Sequence, residues 1–272
     1  MRIGNQTAKS AADAMEPFEF ALAKGFDAFE WFADADETGG FAFSSLSEQD
    51  RYDLCRRGRL ADMRFSVHAD WRADPLEPTG TALIKEAIAF AGAINAPIVV
   101  FHLDAQAPAE AMAEALVPLA QKAGEQGVCL ALENTPQTSP AQFNALFTRL
   151  HENPATRDHT AMCFDMGHAN LHPATRNDYI GYFDQLESHV PIRHVHVHEN
   201  FGDYDSHLPI GTGPSQANAL GVRSLLKRLD QLGYDGALIM EQWPKPRQVL
   251  CKAHDWLKAR VHEVERDPSN AG

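Results

Sequence analysis

The sequence lacks any run of eighteen apolar residues, so no segment is long enough to cross a bilayer as a helix. Its first residues, MRIGNQTAKSAADAMEP, have no apolar core of the kind that a secretory signal requires. Basic residues are also scarce, with 24 Lys and Arg against 37 Asp and Glu and a formal net charge of −13. This balance disfavours a general binder of nucleic acid or anionic membrane, because both require a basic surface.

Paired cysteines are missing as well. The four cysteines are widely spaced, and Cys129 and Cys163 lie in apolar runs typical of small buried side chains. We therefore expect a reduced, cytoplasmic protein. Hydrophobic residues make up 44% of the chain and charged residues 22%, which is ordinary for a globular protein and excludes wholesale disorder.

Eight short β-like runs recur along the chain, separated by segments with helical periodicity. They begin roughly 25–45 residues apart, which is the length of a strand-loop-helix-loop unit. The runs are 3–5, 28–31, 65–68, 98–102, 128–133, 161–165, 195–198 and 238–241. This pattern predicts a single (β/α)8 TIM barrel over residues 1–265, followed by a flexible tail over residues 266–272. The rival fold, a doubly wound open sheet, normally has a glycine-rich turn after its first strand, and residues 3–7 contain none.

Most of the predicted strands end in a residue capable of binding metal or transferring a proton. Because the C-terminal ends of barrel strands form the active face, these side chains should converge there. They are Glu30, His68, His102, Glu133, Asp165, His196 and Glu241.

Three motifs at these ends each allow a second interpretation. In His194-Val-His196-Val-His198 the histidines share one face, which in a barrel is the lumen; the alternative is an exposed edge strand. Asp165 and the histidine three residues later, His168, form a ligand pair or simply a helix N-cap with an incidental histidine. Glu133 and Glu241 end apolar runs and require either a cation or a buried salt bridge.

Converging carboxylates repel one another unless a divalent cation holds them. Mixed carboxylate and imidazole ligands without thiolate favour Zn²⁺, Mn²⁺, Co²⁺ or Fe²⁺ over Ca²⁺, and Mg²⁺ remains a further candidate. Asp205 and His207 offer two more ligands, and residues 209–214 form either a phosphate-binding turn or a plain loop. Trp31, Trp71 and Trp243 are predicted to follow strand ends, where they either stack on a ring of the substrate or pack at the barrel rim.

The ordered motifs Val-His68, Phe-His102, Leu-Glu133-Asn-Thr, Phe-Asp165-Met-Gly-His168, His194-Val-His196, Asp205-Ser-His207-Leu-Pro-Ile-Gly-Thr-Gly and Met-Glu241 resemble the xylose-isomerase-like barrel superfamily. This superfamily includes sugar-phosphate isomerases and epimerases and the endonuclease IV group. The resemblance to its isomerases and epimerases implies one divalent ion held by Glu133, Asp165, His196 and Glu241. It also implies that the two glutamates transfer the substrate proton through an enediolate and that His168 binds a substrate oxygen.

The resemblance therefore favours an isomerase or epimerase of a small sugar, sugar phosphate or related polyhydroxy carbonyl compound. Residues expected to line the substrate are His68, Trp71, His102, His198 and Trp243. Ketohexose epimerases carry an arginine shortly after the strand-seven histidine, whereas this chain has Glu199-Asn-Phe-Gly202, which argues against a ketohexose. We expect no membrane partner, and a homo-oligomer is compatible with the sequence.

The runner-up is a zinc phosphodiesterase of endonuclease IV type, whose three zinc ions use nine ligands. The matching residues are His68, His102, Glu133, Asp165, His168, His196, Asp205, His207 and Glu241. The acidic composition and the lack of a visible Lys/Arg cluster make nucleic acid an unexpected partner. A metal-dependent lyase or dehydratase on the same site is a third reading, and a non-catalytic binding subunit a fourth.

Overall fold

The computed structural model describes residues 1–103 and 108–266 and contains a closed barrel of eight strands in sequence order. Every strand is parallel to its neighbours, and β1 closes the barrel against β8. The strands are β1 (Arg2–Gln6), β2 (Ala28–Phe32), β3 (Arg64–His68), β4 (Ile98–His102), β5 (Cys129–Glu133), β6 (Thr160–Asp165), β7 (Ile192–His196) and β8 (Ala237–Met240). The predicted TIM-barrel fold is confirmed.

Helices connect the strands and surround the barrel. They are α1 (Glu16–Lys24), α2 (Glu48–Leu60), α3 (Pro78–Ile94), α4 (Ala109–Glu125), α5 (Pro140–Glu152), α6 (Pro154–His159), α7 (Met166–Leu171), α8 (Tyr179–Phe183), α9 (Pro214–Ala217), α10 (Leu220–Gln231) and α11 (Gln248–Glu265). Ser139 caps α5 through a reciprocal side-chain pair with Gln142, and Pro140 follows at the first helical position. Such caps satisfy backbone N–H groups that a helix start otherwise leaves open.

The main hydrophobic core lies between the strands and the helices. Alternate side chains of each strand point outward into this layer, as strand geometry requires. On β2 the outward residues are Phe29 and Trp31, which pack against Phe18, Phe41 and other rings. Trp31 is fully buried there. The prediction that Trp31 follows a strand end, where it would stack on a substrate ring or pack at the barrel rim, was wrong, because Trp31 lies within β2, which continues through Phe32.

The inward-facing side chains include an apolar group at the bottom of the barrel and become polar toward its C-terminal end. Ala28, Ala237 and Ile239 form one small apolar cluster, separate from the main core. Gly4 leaves room for it, since a Cβ there would lie 2.7 Å from Ile239 Cδ1 and 2.5 Å from the carbonyl oxygen of Ala28. The polar upper half of the lumen is therefore supported by a packed floor.

At the C-terminal end of the chain, α11 runs to Glu265 and Arg266 lies in a turn. The rest of the predicted tail, residues 267–272, lies outside the described residues. Among the helices of the described residues, none has both the length and the apolar character needed to cross a membrane.

Candidate metal centre

Four strands in succession deliver one acidic or imidazole side chain each to the same point at the barrel mouth. Glu133, Asp165 and His196 are the last residues of β5, β6 and β7, and Glu241 directly follows β8. One ligand atom from each of the four lies within 4.8 Å of the others. The barrel closure explains this convergence, because neighbouring strands end side by side around one rim.

Glu133 is the centre of a ring of histidines. Its Oε2 accepts a hydrogen bond from His68 Nε2 at 2.9 Å, and its Oε1 lies 3.1 Å from His168 Nδ1. His102 Nε2 and His196 Nδ1 lie 3.6 and 3.4 Å from Oε2. Burial by itself would raise the pKa of Glu133, but the surrounding imidazoles outweigh it and hold the pKa well below its usual range. Glu133 is thus an ionised, nearly inaccessible carboxylate.

Asp165 caps a helix with one carboxylate oxygen and faces the ligand cluster with the other. Its Oδ1 accepts the backbone N–H of His168 at 2.6 Å and so caps α7. Its Oδ2 faces the site and accepts a hydrogen bond from His198 Nε2 at 3.1 Å. Asn134 fixes the same strand end, because its side-chain amide accepts a hydrogen bond from the N–H of Asp165 and donates one to the carbonyl of Asp165. One oxygen of Asp165 is therefore structural, and the other is available to a ligand.

A second group of possible ligands lies beside the first. One atom each from His168, His198, Asp205 and His207 falls within 4.8 Å of the others. His168 Nε2 and His207 Nε2 lie 3.2 and 3.0 Å from Asp205 Oδ2, and the rings of His198 and His207 stack 4.0 Å apart. Burial lowers the pKa of His207, but the bond to Asp205 and the negative charges of Glu241, Asp205 and Asp165 together outweigh burial and raise the pKa to about 9.

A third group consists of His68, His102 and Glu133. His68 Nδ1 donates to the carbonyl of Ala69 at 2.7 Å, which directs Nε2 toward Glu133. The structure thus brings all nine residues that match the endonuclease IV ligands into three adjoining groups. Glu133 belongs to the first and the third of them, and its contact with His168 connects it to the second.

The donor set fits a divalent cation. Three carboxylates with little or no exposed surface lie against one another, and burial raises the pKa of Glu241 despite the opposing field of His196. Glu241 Oε2, His196 Nδ1 and His198 Nδ1 are buried polar atoms without a hydrogen-bond partner among the described residues. Such groups are costly unless a ligand satisfies them, and mixed oxygen and nitrogen donors suit a transition metal or zinc.

The prediction that Glu30 ends a strand at the barrel mouth was wrong. It is the third residue of β2, two residues before the strand ends, and it points into the lumen beneath His196. Its carboxylate accepts hydrogen bonds from Ser66 Oγ and His194 Nε2, both at 2.8 Å.

His194, His196 and His198 are all buried, which confirms the prediction that they face the lumen and excludes the exposed edge strand.

The turn-rich segment after β7 binds a carboxylate of the same chain, that of Glu199, through its backbone N–H groups. Glu199 is buried, and its two oxygens accept the backbone N–H groups of Gly211, Gly213 and Ser215 at 2.8–3.1 Å. The plain-loop interpretation of residues 209–214 is therefore the better one, because these N–H groups already have an anionic partner. Sequence reasoning did not assign this role to Glu199, although a glutamate before a glycine-rich segment is the available signal.

The remaining predicted substrate residues differ in accessibility. Trp71 is 67% exposed at the rim beyond β3, with Arg72 over its ring. Trp243 is buried at the end of β8, with Arg247 3.8 Å above its ring and Phe20 at its edge. His102 is partly exposed, at 31% of its side chain. Trp71 and His102 are thus open to a bound molecule, whereas Trp243 is largely covered by the chain.

Comparison with known proteins identifies related barrels. The family described as xylose isomerase-like TIM barrel matches residues 18–260. Two curated relatives are uncharacterized: MJ1311 of Methanocaldococcus jannaschii is 30% identical over 38% of this chain, and y4fM of Sinorhizobium fredii is 27% identical over 53%. The matches span 34% and 47% of those proteins, so the chain corresponds to half of their length or less.

Solved structures share the whole architecture. An L-ribulose 3-epimerase superposes with a TM-score of 0.71 at 18% identity, covering 100% of this chain and 98% of its own. The TTHB071 protein of Thermus thermophilus, soaked with zinc chloride, gives 0.68 at 23% identity, with 97% and 99% covered. Endonuclease IV of the same organism gives 0.67 at 19%, with 97% and 100% covered. At these identities the likeness concerns the fold.

Proposed function

The chain belongs to the xylose isomerase-like TIM-barrel family, and from this premise we propose that it is a divalent-metal-dependent isomerase or epimerase of a small polyhydroxylated carbonyl compound. The observation that carries the proposal is the convergence of Glu133, Asp165, His196 and Glu241 at the mouth. Structural neighbours of this family include sugar epimerases, which supports the same class of reaction.

Each residue of the site has a place in this chemistry. A bound divalent ion would polarise a neighbouring hydroxyl and carbonyl pair of the substrate and stabilise the enediolate that proton removal creates. Glu133 and Glu241 come from strands on different sides of the cluster and would remove and return the proton at the substrate carbon. His168 is held at Nδ1 by the carbonyl of Asn134, and its Nε2, which contacts Asp205 at 3.2 Å, would exchange that partner for a substrate oxygen.

The closed loop after β7 supports an unphosphorylated substrate. In TIM barrels, phosphate groups frequently bind to the loops after strands seven and eight and to a short helix start. Here Glu199 occupies the corresponding N–H groups with a negative charge, which would repel a phosphate. We therefore favour free sugars and related polyols over their phosphates.

The first experiment is elemental analysis of the natively purified protein, followed by turnover assays on keto sugars and their phosphates. About one metal equivalent per chain, with interconversion of isomers, would support the proposal. Glu133→Gln should abolish turnover while the protein stays folded, whereas Glu125→Gln, on the exposed end of α4, should leave turnover unchanged. A metal-free protein that binds no metal on reconstitution would contradict it.

A zinc phosphodiesterase remains the second candidate because all nine possible ligands lie in three adjoining groups. A trinuclear centre would activate a water and hold the phosphodiester at the same time. His68→Ala and His102→Ala distinguish the candidates, since neither residue belongs to the four-residue cluster. Loss of a zinc equivalent together with cleavage of abasic-site DNA by the unaltered protein would favour the hydrolase. Unchanged metal content in both variants would exclude it.

A further inference from the structure

A buried polar column continues below the metal centre, and the proposed reaction does not use it. Glu30, Ser66 and His194 lie in the lumen one layer beneath the mouth, and Glu30 has no exposed surface. An ionised carboxylate at this depth is costly unless several donors satisfy it. Ser66 and His194 satisfy Oε2, and Oε1 lies 3.0 Å from Nε2 of His196.

The pairing of Glu30 with His196 is reciprocal. Glu30 Oε1 and His196 Nε2 lie 3.0 Å apart, and neither atom makes a hydrogen bond to any described group. The opposite nitrogen, Nδ1, faces the cluster and lies 3.3 Å from Glu241 Oε1 and 3.4 Å from Glu133 Oε2. One ring of His196 thus spans two layers, with one nitrogen toward Glu30 and the other toward the candidate metal.

The chemistry of the two partners decides which nitrogen binds metal. A carboxylate accepts hydrogen bonds and donates none. Glu133 and Glu241 face Nδ1 and would turn their oxygens to a bound cation, whereas Glu30 lies beneath the cluster and keeps its acceptor for Nε2, so Nε2 is the nitrogen that carries the proton in the metal-bound site. Neutral imidazole has one N–H and one lone pair, and a proton held at Nε2 leaves the lone pair on Nδ1. Carboxylates that hold a ligand histidine in this way fix its tautomer and ring orientation and increase its basicity.

We propose that Glu30 is a positioning residue that presents Nδ1 of His196 to the metal, and that His194 and Ser66 hold Glu30 in place. This inference rests on the metal centre of the proposed function but not on the reaction carried out there. Glu30 lies too deep to contact a substrate at the mouth, because His196 separates it from the cluster.

The test uses Glu30→Gln, which keeps the side-chain shape but replaces one acceptor by a donor. A matched control is Val100→Ala, which also alters a lumen residue but belongs to a separate apolar cluster. Metal affinity is measured by competition of the metal-free proteins with a chromophoric chelator for Zn²⁺. Glu30→Gln should weaken binding about 10–100-fold, as loss of comparable carboxylate partners does. Ser66→Ala, which removes one support of Glu30, should weaken it less.

A second readout does not depend on affinity. In the Zn²⁺-loaded protein, proton–nitrogen correlation spectra of the imidazoles should show a single His196 tautomer with its proton on Nε2 and a metal-bound Nδ1. In Glu30→Gln this signal should shift and exchange faster. Affinity equal to that of Val100→Ala, with an unchanged His196 signal, would overturn the proposal.

Two further outcomes would also overturn the proposal. The first concerns the role of Glu30 alone, and the second also contradicts the proposed function. Loss of one whole zinc equivalent in Glu30→Gln, with the others unaffected, would make Glu30 itself a ligand. Failure of the unaltered protein to bind any metal would contradict both this inference and the proposed function. Changed affinity in Glu30→Gln without any isomerase turnover in the unaltered protein would support the positioning role alone.

Discussion

Gly167 leaves the space that His198 occupies, and replacing this glycine tests the packing of the whole site. A Cβ at position 167 would lie 2.0 Å from Cε1 and 2.3 Å from Nδ1 of His198, far inside normal contact. His198 is fully buried and stacked on His207, so the imidazole cannot turn aside without losing its hydrogen bond to Asp165. Overpacking costs about 1–3 kcal/mol, and loss of a hydrogen bond to a charged group about 1.5–3 kcal/mol.

Gly167→Ala should therefore lower the free energy of unfolding by about 3 kcal/mol or more, as measured by urea denaturation of the metal-free protein. The decisive comparison is the same substitution in a His198→Ala background, where the clash no longer exists. There, alanine in the first turn of α7 should be neutral or stabilising by up to about 1 kcal/mol. Equal costs in both backgrounds would refute the reasoning, because the coupling between the two positions would then be absent.

Three further predictions concern the loop, the pH dependence and the substrate. Glu199→Ala leaves the N–H groups of Gly213 and Ser215 without an acceptor, while that of Gly211 keeps Ser215 Oγ. It should destabilise the protein by about 2–4 kcal/mol in urea denaturation, whereas Glu37→Ala on the surface should change stability by less than about 0.5 kcal/mol. The pKa of about 9 at His207 means that a cation bound in the second ligand group, with His168, His198 and Asp205, must displace a proton at neutral pH. The metal affinity of that group should then rise with pH and level off above about 9, with proton release visible by calorimetry in buffers of different ionisation enthalpy; an affinity of that group independent of pH would contradict this. Turnover should favour a free keto sugar over its phosphate, and a higher kcat/KM for the phosphate would contradict the role assigned to Glu199.

The four residues of the first ligand group could be predicted from the sequence because each one ends a strand or directly follows it: Glu133, Asp165, His196 and Glu241. Short hydrophobic runs that stop at an acid or a histidine show where the chain leaves the barrel, and closure then brings these points together. The shared face of His194 and His196 follows from strand periodicity alone, whereas His198 lies beyond the end of β7. These features are local, so they are visible without the fold.

The depth of a residue within the barrel could not be predicted from the sequence, and this explains the wrong positions predicted for Glu30 and Trp31 on β2. Glu30 and Trp31 were predicted at the mouth, yet β2 extends further than its apolar pattern indicates, and it pairs with β3 through Phe32 and His68. How far each strand rises toward the mouth depends on the stagger between neighbouring strands, which is a property of the closed barrel as a whole. The same stagger places Glu30, on β2, just below His196, on β7. The contact between these two residues therefore depends on how distant strands are arranged in the closed barrel. A residue that orients a metal ligand from below therefore leaves no local signal beyond an acidic side chain within an apolar strand, and only the assembled barrel distinguishes it from a ligand at the rim.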